Sequence, residues 1–349
     1  MIKILVLLSL SLPFTAAGQV TIQKGATFYI SANELMSIEG DLSTEEDIEG
    51  EGILILEGNT LQTVNFSNHK LSRLVVQNAS NVQLASALGV VRGLRLITGR
   101  LQLGSNDLYL SEQCVVQGGS SSYIEAGDKG KVVKLISRDV SNLLIPIGSA
   151  YTYSPLVLTS TGSYHNAFIE IRTRSTASPE KPQSIPNYLE SYWILNRKGV
   201  DGHLIITAFY GKLTGAENKI RPYYWNGNTW LTKANVTKPR KGILSWEVPE
   251  GSGQLYGMSE DKSMGTEANK MTVFPNPVTS VATLAIWSMF DENAIIKIVD
   301  SRGIPVLMQR IVLVKGPNKV GIDVANLASG HYTMSSTQVN IKSIQLIKL

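Results

Sequence analysis

The sequence predicts an all-β protein: a short β-solenoid-like region first, a β-sandwich in the middle, and an Ig-like β-sandwich at the C-terminus. Three observations predict it. Leucine pairs at i, i+2 (Leu94/Leu96, Leu101/Leu103, Leu108/Leu110) recur every seven residues with turn residues between them. From Met271 onward, short alternating runs are separated by turn signals roughly every ten residues, the pattern of a sandwich. Between these regions stands Trp225-Asn226-Gly227-Asn228-Thr229-Trp230, where Asn-Gly suits a hairpin turn that matches strand twist. The expected division is a leader over 1–18, a solenoid-like body over 19–131, a sandwich over 132–258, a linker over 259–270, and a terminal domain over 271–349.

The first eighteen residues read as a signal peptide. Lys3 supplies the positive start, Ile4 to Phe14 is apolar but too short to span a membrane, and Ala16-Ala17-Gly18 places small residues for cleavage. Gln19 is the expected mature start. No cysteine follows the apolar run, so a lipoprotein is not expected, and no later stretch is long and apolar enough for a transmembrane segment.

Val20 to Ile38 shows mixed strand patterning. Glu39 to Glu51 carries seven acids whose spacing does not follow a calcium loop. A solvated acidic loop is the expectation and a cation site the alternative. Ile53 to Leu56 lies between glycines and opens a run of short apolar strands, continued by Leu71 to Val76 and Val82 to Leu84. The regular leucines then follow. A coiled coil does not fit them, because Thr98-Gly99 and Gly104-Ser105-Asn106-Asp107 are turns that break a helix. Each pair instead shares one face of a strand, with Arg95, Gln102 and Tyr109 on the other. Stacked rungs of a β-solenoid or a meander of hairpins satisfy this, and the shortness of the strands favours the solenoid. Cys114, the single cysteine, sits among strand residues and reads as a small buried hydrophobe. No disulfide within the chain and no cysteine-based metal site is available to it.

The middle region offers strands over Ala167 to Ile171, Tyr192 to Leu195, His203 to Tyr210, Arg221 to Trp225, Leu244 to Val248 and Gln254 to Met258. Ser175 to Pro186, with three prolines, reads as a loop. Tyr188, Tyr192, Trp193, Tyr223, Tyr224, Trp225, Trp230, Trp246 and Tyr256 are the sequence's main aromatic cluster. They pack a sandwich core, or else face out to stack on sugar rings. Alternation places at least one ring of Tyr223-Tyr224-Trp225 outward.

In the last region, Pro275 and Pro277 remove backbone donors and mark an entry or edge segment. Val281 to Trp287 and Ala294 to Val299 read as strands, the first with Ala282, Leu284 and Ile286 on one face. Asp300-Ser301-Arg302-Gly303 turns the chain into an apolar run from Ile304 to Met308. Gly316-Pro317-Asn318 and Leu327-Ala328-Ser329-Gly330 read as two more turns, and strands follow at Val320 to Val324, His331 to Met334 and Ile344 to Ile347. Met334 to Ser343 is polar and lacks a strand pattern.

Taken together, Pro275-Asn276-Pro277, Asp300 with Gly303, Gly316 with Asn318 and Asp323, Leu327 with Gly330 and Tyr332, and finally Lys348 resemble the type A C-terminal sorting domain of type IX secretion cargo. The resemblance implies export across the outer membrane of a Bacteroidetes-type bacterium, handling by the type IX machinery, removal of the domain by its sortase-like peptidase, and attachment to surface lipopolysaccharide or release. Gly50 to Gly58, Gln62, Leu74 to Asn78 and Leu101 to Gly104 are similar to a recurring β-rich passenger of such cargo, which carries no catalytic residues, and Leu144 to Gly148 and Tyr153 to Leu158 resemble the step that follows such passengers.

Composition and motifs add exclusions. The formal net charge of +4 is small and scattered, so nucleic acid is not an expected partner. The four histidines are apart from one another, and no serine elbow, phosphate-binding loop or dinucleotide glycine pattern occurs. No catalytic residue, cofactor or metal site is assigned. Two carboxylates would suffice for a glycosidase, and Asp201, Glu217 and Glu247 are available. The expected function is a secreted or surface-attached, non-enzymatic β-rich protein in adhesion, surface structure or glycan contact. The alternative is a carbohydrate-active enzyme or carbohydrate-binding module exported by the same route.

Overall fold

The structure is a computed structural model that describes residues 5–6, 14–16, 18–126, 129–227, 230–231, 240–260, 271–288, 292–314, 316–336 and 343–349. They form two compact units, one ending at Ser259 and one holding the C-terminal strands. Strands dominate both. The single helical turn among the described residues is the 3₁₀ segment Glu217–Lys219. Among the described residues, no helix is long and apolar enough to cross a membrane.

The first unit opens as a β-solenoid of about six turns. One parallel sheet holds Val20–Ile22, Leu42–Thr44, Gln62–Asn65, Val82–Leu84, Leu101–Gln102, Ile124–Glu125 and Ile147–Gly148, whose starts lie 19 to 23 residues apart. The return strands form a second parallel sheet: Thr27–Tyr29 and Leu35–Ile38, then Ile48–Gly58, Lys70–Asn78 and Leu88–Thr98, then Leu108–Leu110 and Val115–Gln117. The segments Leu5–Val6 and Phe14–Ala16 lie in register with Thr27–Phe28 and Met36–Ile38.

The leucine pattern gives this architecture its core. Leu94, Leu96, Leu101, Leu103, Leu108 and Leu110 are all at most 4% exposed, and Arg95 and Tyr109 are exposed on the opposite face. Each turn is too thin to bury its own leucines, so each rung covers the next. Polar residues that point inward are bonded to backbone. Gln62 donates to the Ile38 carbonyl, and Asn78 to that of Thr60. The buried Lys134 ammonium donates to the carbonyls of Ser111, Glu112 and Cys114 one rung below. Three carbonyls thus close the three donors of a charge that would be costly to bury alone. Burial lowers the pKa of this lysine and pushes the adjacent, buried Cys114 thiol up to about 11.

The sheet continues through the expected boundary at residue 132. Val132–Ile136 pairs in parallel with Leu108–Leu110 on one side and antiparallel with Ala167 to Ile171 on the other, so the parallel stack becomes an antiparallel sheet without a break. Two long strands dominate it, Leu156–Arg174 and Tyr192–Phe209. The shorter strands expected at Ala167 to Ile171, Tyr192 to Leu195 and His203 to Tyr210 are portions of these two. Gly162, Gly199 and Gly202 take φ of 143°, 70° and 140° within them, and Phe168 begins a resumed register after a bulge beyond Tyr164. Bends there let one strand cover two faces without ending.

Most of the aromatic cluster is core. Trp193 is fully buried with its indole N–H on the Ser154 carbonyl, 5.9 Å between centroids from Trp246, whose own N–H meets the Tyr223 carbonyl. Tyr256 donates to the Leu189 carbonyl. The expected outward ring of Tyr223-Tyr224-Trp225 is corrected: Tyr223 and Tyr224 are both buried and Trp225 is half-buried. Layers cover both faces of this strand, and Tyr224 lies against Gly253, where a Cβ would come within 2.1 Å of the ring. Of the Asn-Gly hairpin, Gly227 takes φ 95°, and residues 228 and 229 lie outside the described set. Ser259, counted with the linker, closes the strand Gly251–Ser259. The rest of the linker, 261–270, and its expected cleavage region are outside the described residues.

Candidate functional site

The second unit is a two-sheet sandwich. Met271–Phe274, Val281–Ser288 and Gly316–Asp323 form one antiparallel sheet. Pro305–Leu313, Glu292–Val299, Gly330–Ser336 and Ile344–Lys348 form the other, in that spatial order. Period-two alternation builds the core between them: Ala282, Leu284 and Ile286 from one sheet meet Ala294, Ile296, Ile298, Met334 and Leu346 from the other.

The residues singled out in the sequence sit mainly at the reversals and ends of this sandwich. Pro275 and Pro277 are exposed and follow the edge strand Met271–Phe274. Between them, the Asn276 side-chain amide imitates a strand residue. Its Nδ2 donates to the Gln345 carbonyl at 2.8 Å, and its Oδ1 accepts the Ile347 N–H at 2.8 Å. Val278 continues the seam: its N–H meets the Ile347 carbonyl and its carbonyl accepts the Leu349 N–H, both at 2.9 Å. The domain's first reversal is thereby fastened to its last strand. Lys348, 8% exposed, lies on that strand with its ammonium on the Leu349 carbonyl.

Asp300 organises the next reversal. Its Oδ1 accepts the N–H groups of Arg302 and Ile304 at 2.9 Å, its Oδ2 accepts the Arg302 guanidinium, and Gly303 takes φ 80°, which favours glycine. The Ile304 N–H, followed by the Arg302 contacts, holds the Asp300 carboxyl below its ordinary value. Asp323 caps another bend by accepting the Ala325 N–H at 2.9 Å. Leu327 packs on the core beside it. Tyr332 is buried and its hydroxyl reaches back to the Ala328 carbonyl at 2.8 Å, the tyrosine-corner arrangement of Ig-like folds. Gly330 opens the same strand, where a Cβ would meet only the edge of the Tyr332 ring at 3.9 Å.

One turn is corrected. Gly316-Pro317-Asn318 does not form a turn but the start of the strand Gly316–Asp323, with Pro317 opposite Trp287. This is the outermost strand of its sheet, where proline removes no needed ladder bond. The reversal lies just before it and is closed by Asn318, whose amide accepts the Val314 N–H at 2.9 Å and donates to the Val314 carbonyl at 2.7 Å. The sequence pattern also stopped the preceding strand at Met308, while it extends to Leu313. The polar stretch before the last strand lies outside the described residues from 337 to 342. At the other end of the chain, Gly18 and Gln19 are exposed immediately before Val20–Ile22.

The acidic run from Glu39 to Glu51 keeps Glu39, Asp41, Glu45, Glu49 and Glu51 exposed, but it is not a loop. It contains Leu42–Thr44 and the start of Ile48–Gly58, and its carboxylates bind neighbouring rungs. Glu46 accepts the Gly25 N–H, Asp41 the Thr63 N–H, and Asp47 the Lys70 N–H together with His69 Nδ1. Burial works to raise the Asp47 pKa, but the Lys70 N–H, the His69 bond and the Lys70 charge outweigh it and leave it lowered. Glu51 pairs with Arg92 at 2.5 Å. These ion pairs border a groove of about 390 Å³ whose lining includes Glu49, Lys70 and Ser72. No group of three or more histidine, cysteine or acidic side chains suited to a metal occurs among the described residues. Of the carboxylates considered for glycoside chemistry, Glu217 accepts the Tyr210 hydroxyl and the Gly242 N–H, and Glu247 pairs with His203 at 2.8 Å. His203 is exposed on the strand Tyr192–Phe209.

Comparison with known proteins agrees with the terminal unit. Residues 272–348 match the family described as the secretion system C-terminal sorting domain. No curated protein and no solved structure matches the chain.

Proposed function

We propose that this chain is type IX secretion cargo of a Bacteroidetes-type bacterium: made with a leader that ends at Gly18, carried across the outer membrane on a type A sorting domain over 271–349, and separated from that domain by a sortase-like peptidase. The observation that carries the reading is the sorting-domain match over 272–348. It supports handling by the type IX machinery and export to the cell surface or extracellular space. The sandwich adds a physical rationale. Asn276, Asp300, Asn318, Asp323 and Tyr332 each tie a reversal with side-chain bonds. A domain built this way presents a fixed shape to a machine that handles many cargoes.

The body over 19–258 is then a non-enzymatic β-rich passenger, acting in adhesion, surface structure or glycan contact, attached to lipopolysaccharide or released. In favour of a non-enzymatic role, Glu217 and Glu247 are held by neighbouring side chains and most of the aromatic rings lie in the core. The test is transplantation. A periplasmic reporter carrying residues 271–349 should reach the surface of a host with type IX secretion and stay periplasmic in a host whose machinery is deleted. Retention in both hosts would refute the reading. Sequencing of the exported native chain should begin at Gln19.

A further inference from the structure

The strand Pro305–Leu313 stands at the end of its four-stranded sheet and pairs only with Glu292–Val299 among the described residues. Among the described residues, alternate N–H and C=O groups along its other side therefore lack a ladder partner. Its outward side chains are also unusual for an edge. Val306, Met308 and Val312 are 41%, 62% and 74% exposed, and the flanking Ile304 and Val314 extend the stripe. Natural edges are blunted by charge, proline or bulges. Here the proline stands at the strand's first position, and the one charge among its outward residues is Arg310.

The charge of this face selects the partner. Arg310 lies opposite Ile295 and Met308 opposite Lys297, which places two cations on the outer surface of the sheet. No described residue of that surface on the two strands is acidic, and neither cation forms an ion pair among the described residues. Two copies of the strand would bring cation to cation with no carboxylate to offset them, so a second copy is a poor occupant. We propose that this edge is a strand-addition site for an extended segment of another protein, apolar at alternate positions and carrying a carboxylate where it passes Arg310. The proposal rests on the reading of this unit as a sorting domain only in supplying the setting in which such a partner is met.

The test uses the full chain and two synthetic peptides of the strand's own nine-residue length. Both alternate valine with threonine; one carries glutamate at its centre and the other lysine. The glutamate peptide should bind, measured by fluorescence anisotropy, about threefold more tightly than the lysine peptide, the size of one exposed ion pair. Arg310→Glu should reverse that preference, and Met308→Lys should weaken both peptides. Val281→Lys, at an exposed apolar position on the other sheet, should change neither. The proposal is overturned if neither peptide binds, if Arg310→Glu leaves the preference unchanged, if the chain dimerises through this strand and Val312→Lys dissolves the dimer, or if anionic lipid vesicles bind the stripe and the peptides do not. Failure here leaves the sorting reading standing as long as residues 271–349 still direct export of a reporter. Loss of that export would remove the sorting reading whatever the peptides do.

Discussion

Replacing Leu103 by alanine tests the solenoid in its buried core. Leu103 is fully buried, and its backbone is pinned on both sides: its N–H bonds the Glu125 carbonyl at 3.0 Å and its carbonyl accepts the Asn106 N–H at 2.9 Å. A Cβ on Gly130 would approach the Leu103 Cβ to 3.0 Å, so the next rung already presses on it. The lost methyl and methylene groups are worth about 2 kcal/mol in transfer alone. Because the backbone is not free to collapse into the space, the cavity adds to this, and the expected cost is about 3–5 kcal/mol. Gln102, one residue earlier on the opposite face, donates to Glu125 at 3.1 Å, and removing that half-buried bond should cost about 0.5–1 kcal/mol. Urea melts of the full chain followed by far-UV circular dichroism separate the two. With m on the order of 3 kcal/mol/M, Leu103→Ala should lower the solenoid's midpoint by about 1 M or more, and Gln102→Ala by about 0.3 M or less. Equal midpoints would refute the inward assignment and the stacked-rung core built on it.

Three further outcomes concern the terminal sandwich. Asn276→Ala removes both bonds to the last strand and should cost about 1–2 kcal/mol, read as faster amide exchange over Ile344–Lys348 with little change in the opposite sheet. Tyr332→Phe keeps the ring and loses the hydroxyl bond to Ala328, so a drop of about 1 kcal/mol in the domain's unfolding free energy is expected, and no drop would remove the tyrosine corner from the account. Asp300 is held below its ordinary value of 3.8, so its contribution is fully present above that pH and is lost as pH falls through the lowered value. Asp300→Asn should therefore be less stable than the wild type at neutral pH and converge with it in acid. A gap that persists below both values would contradict the assignment.

Local chemistry made much of this legible. The leucine pairs showed their inward face because a strand's period is two, and the glycines and asparagines between them excluded a helix. Asp300 with Gly303, and Leu327 before Tyr332, were readable because those reversals depend on residues close in sequence. Long-range partners hid the rest. Asn276 is a turn residue until Gln345 and Ile347 are brought beside it. Gly316-Pro317-Asn318 has turn composition, yet the side chain of Asn318 moves the reversal back to Val314. The acids from Asp41 to Glu51 read as a loop because their N–H and cation partners lie in neighbouring rungs, about twenty residues away in most cases. Ala167 to Ile171, Tyr192 to Leu195 and His203 to Tyr210 read as separate strands, though the antiparallel pairing carries two long strands through their glycine bends.

The central claim is that residues 271–349 send the rest of the chain outward. The most direct measurement compares the full chain with a form ending at Lys270 in a host with type IX secretion, scoring each by protease accessibility on intact cells and by its presence in the periplasmic fraction. The account predicts a surface-accessible or released full chain, and a truncated chain that stays periplasmic and protease-resistant because the first unit keeps its own core. A truncated chain that reaches the outside in normal amounts would contradict it.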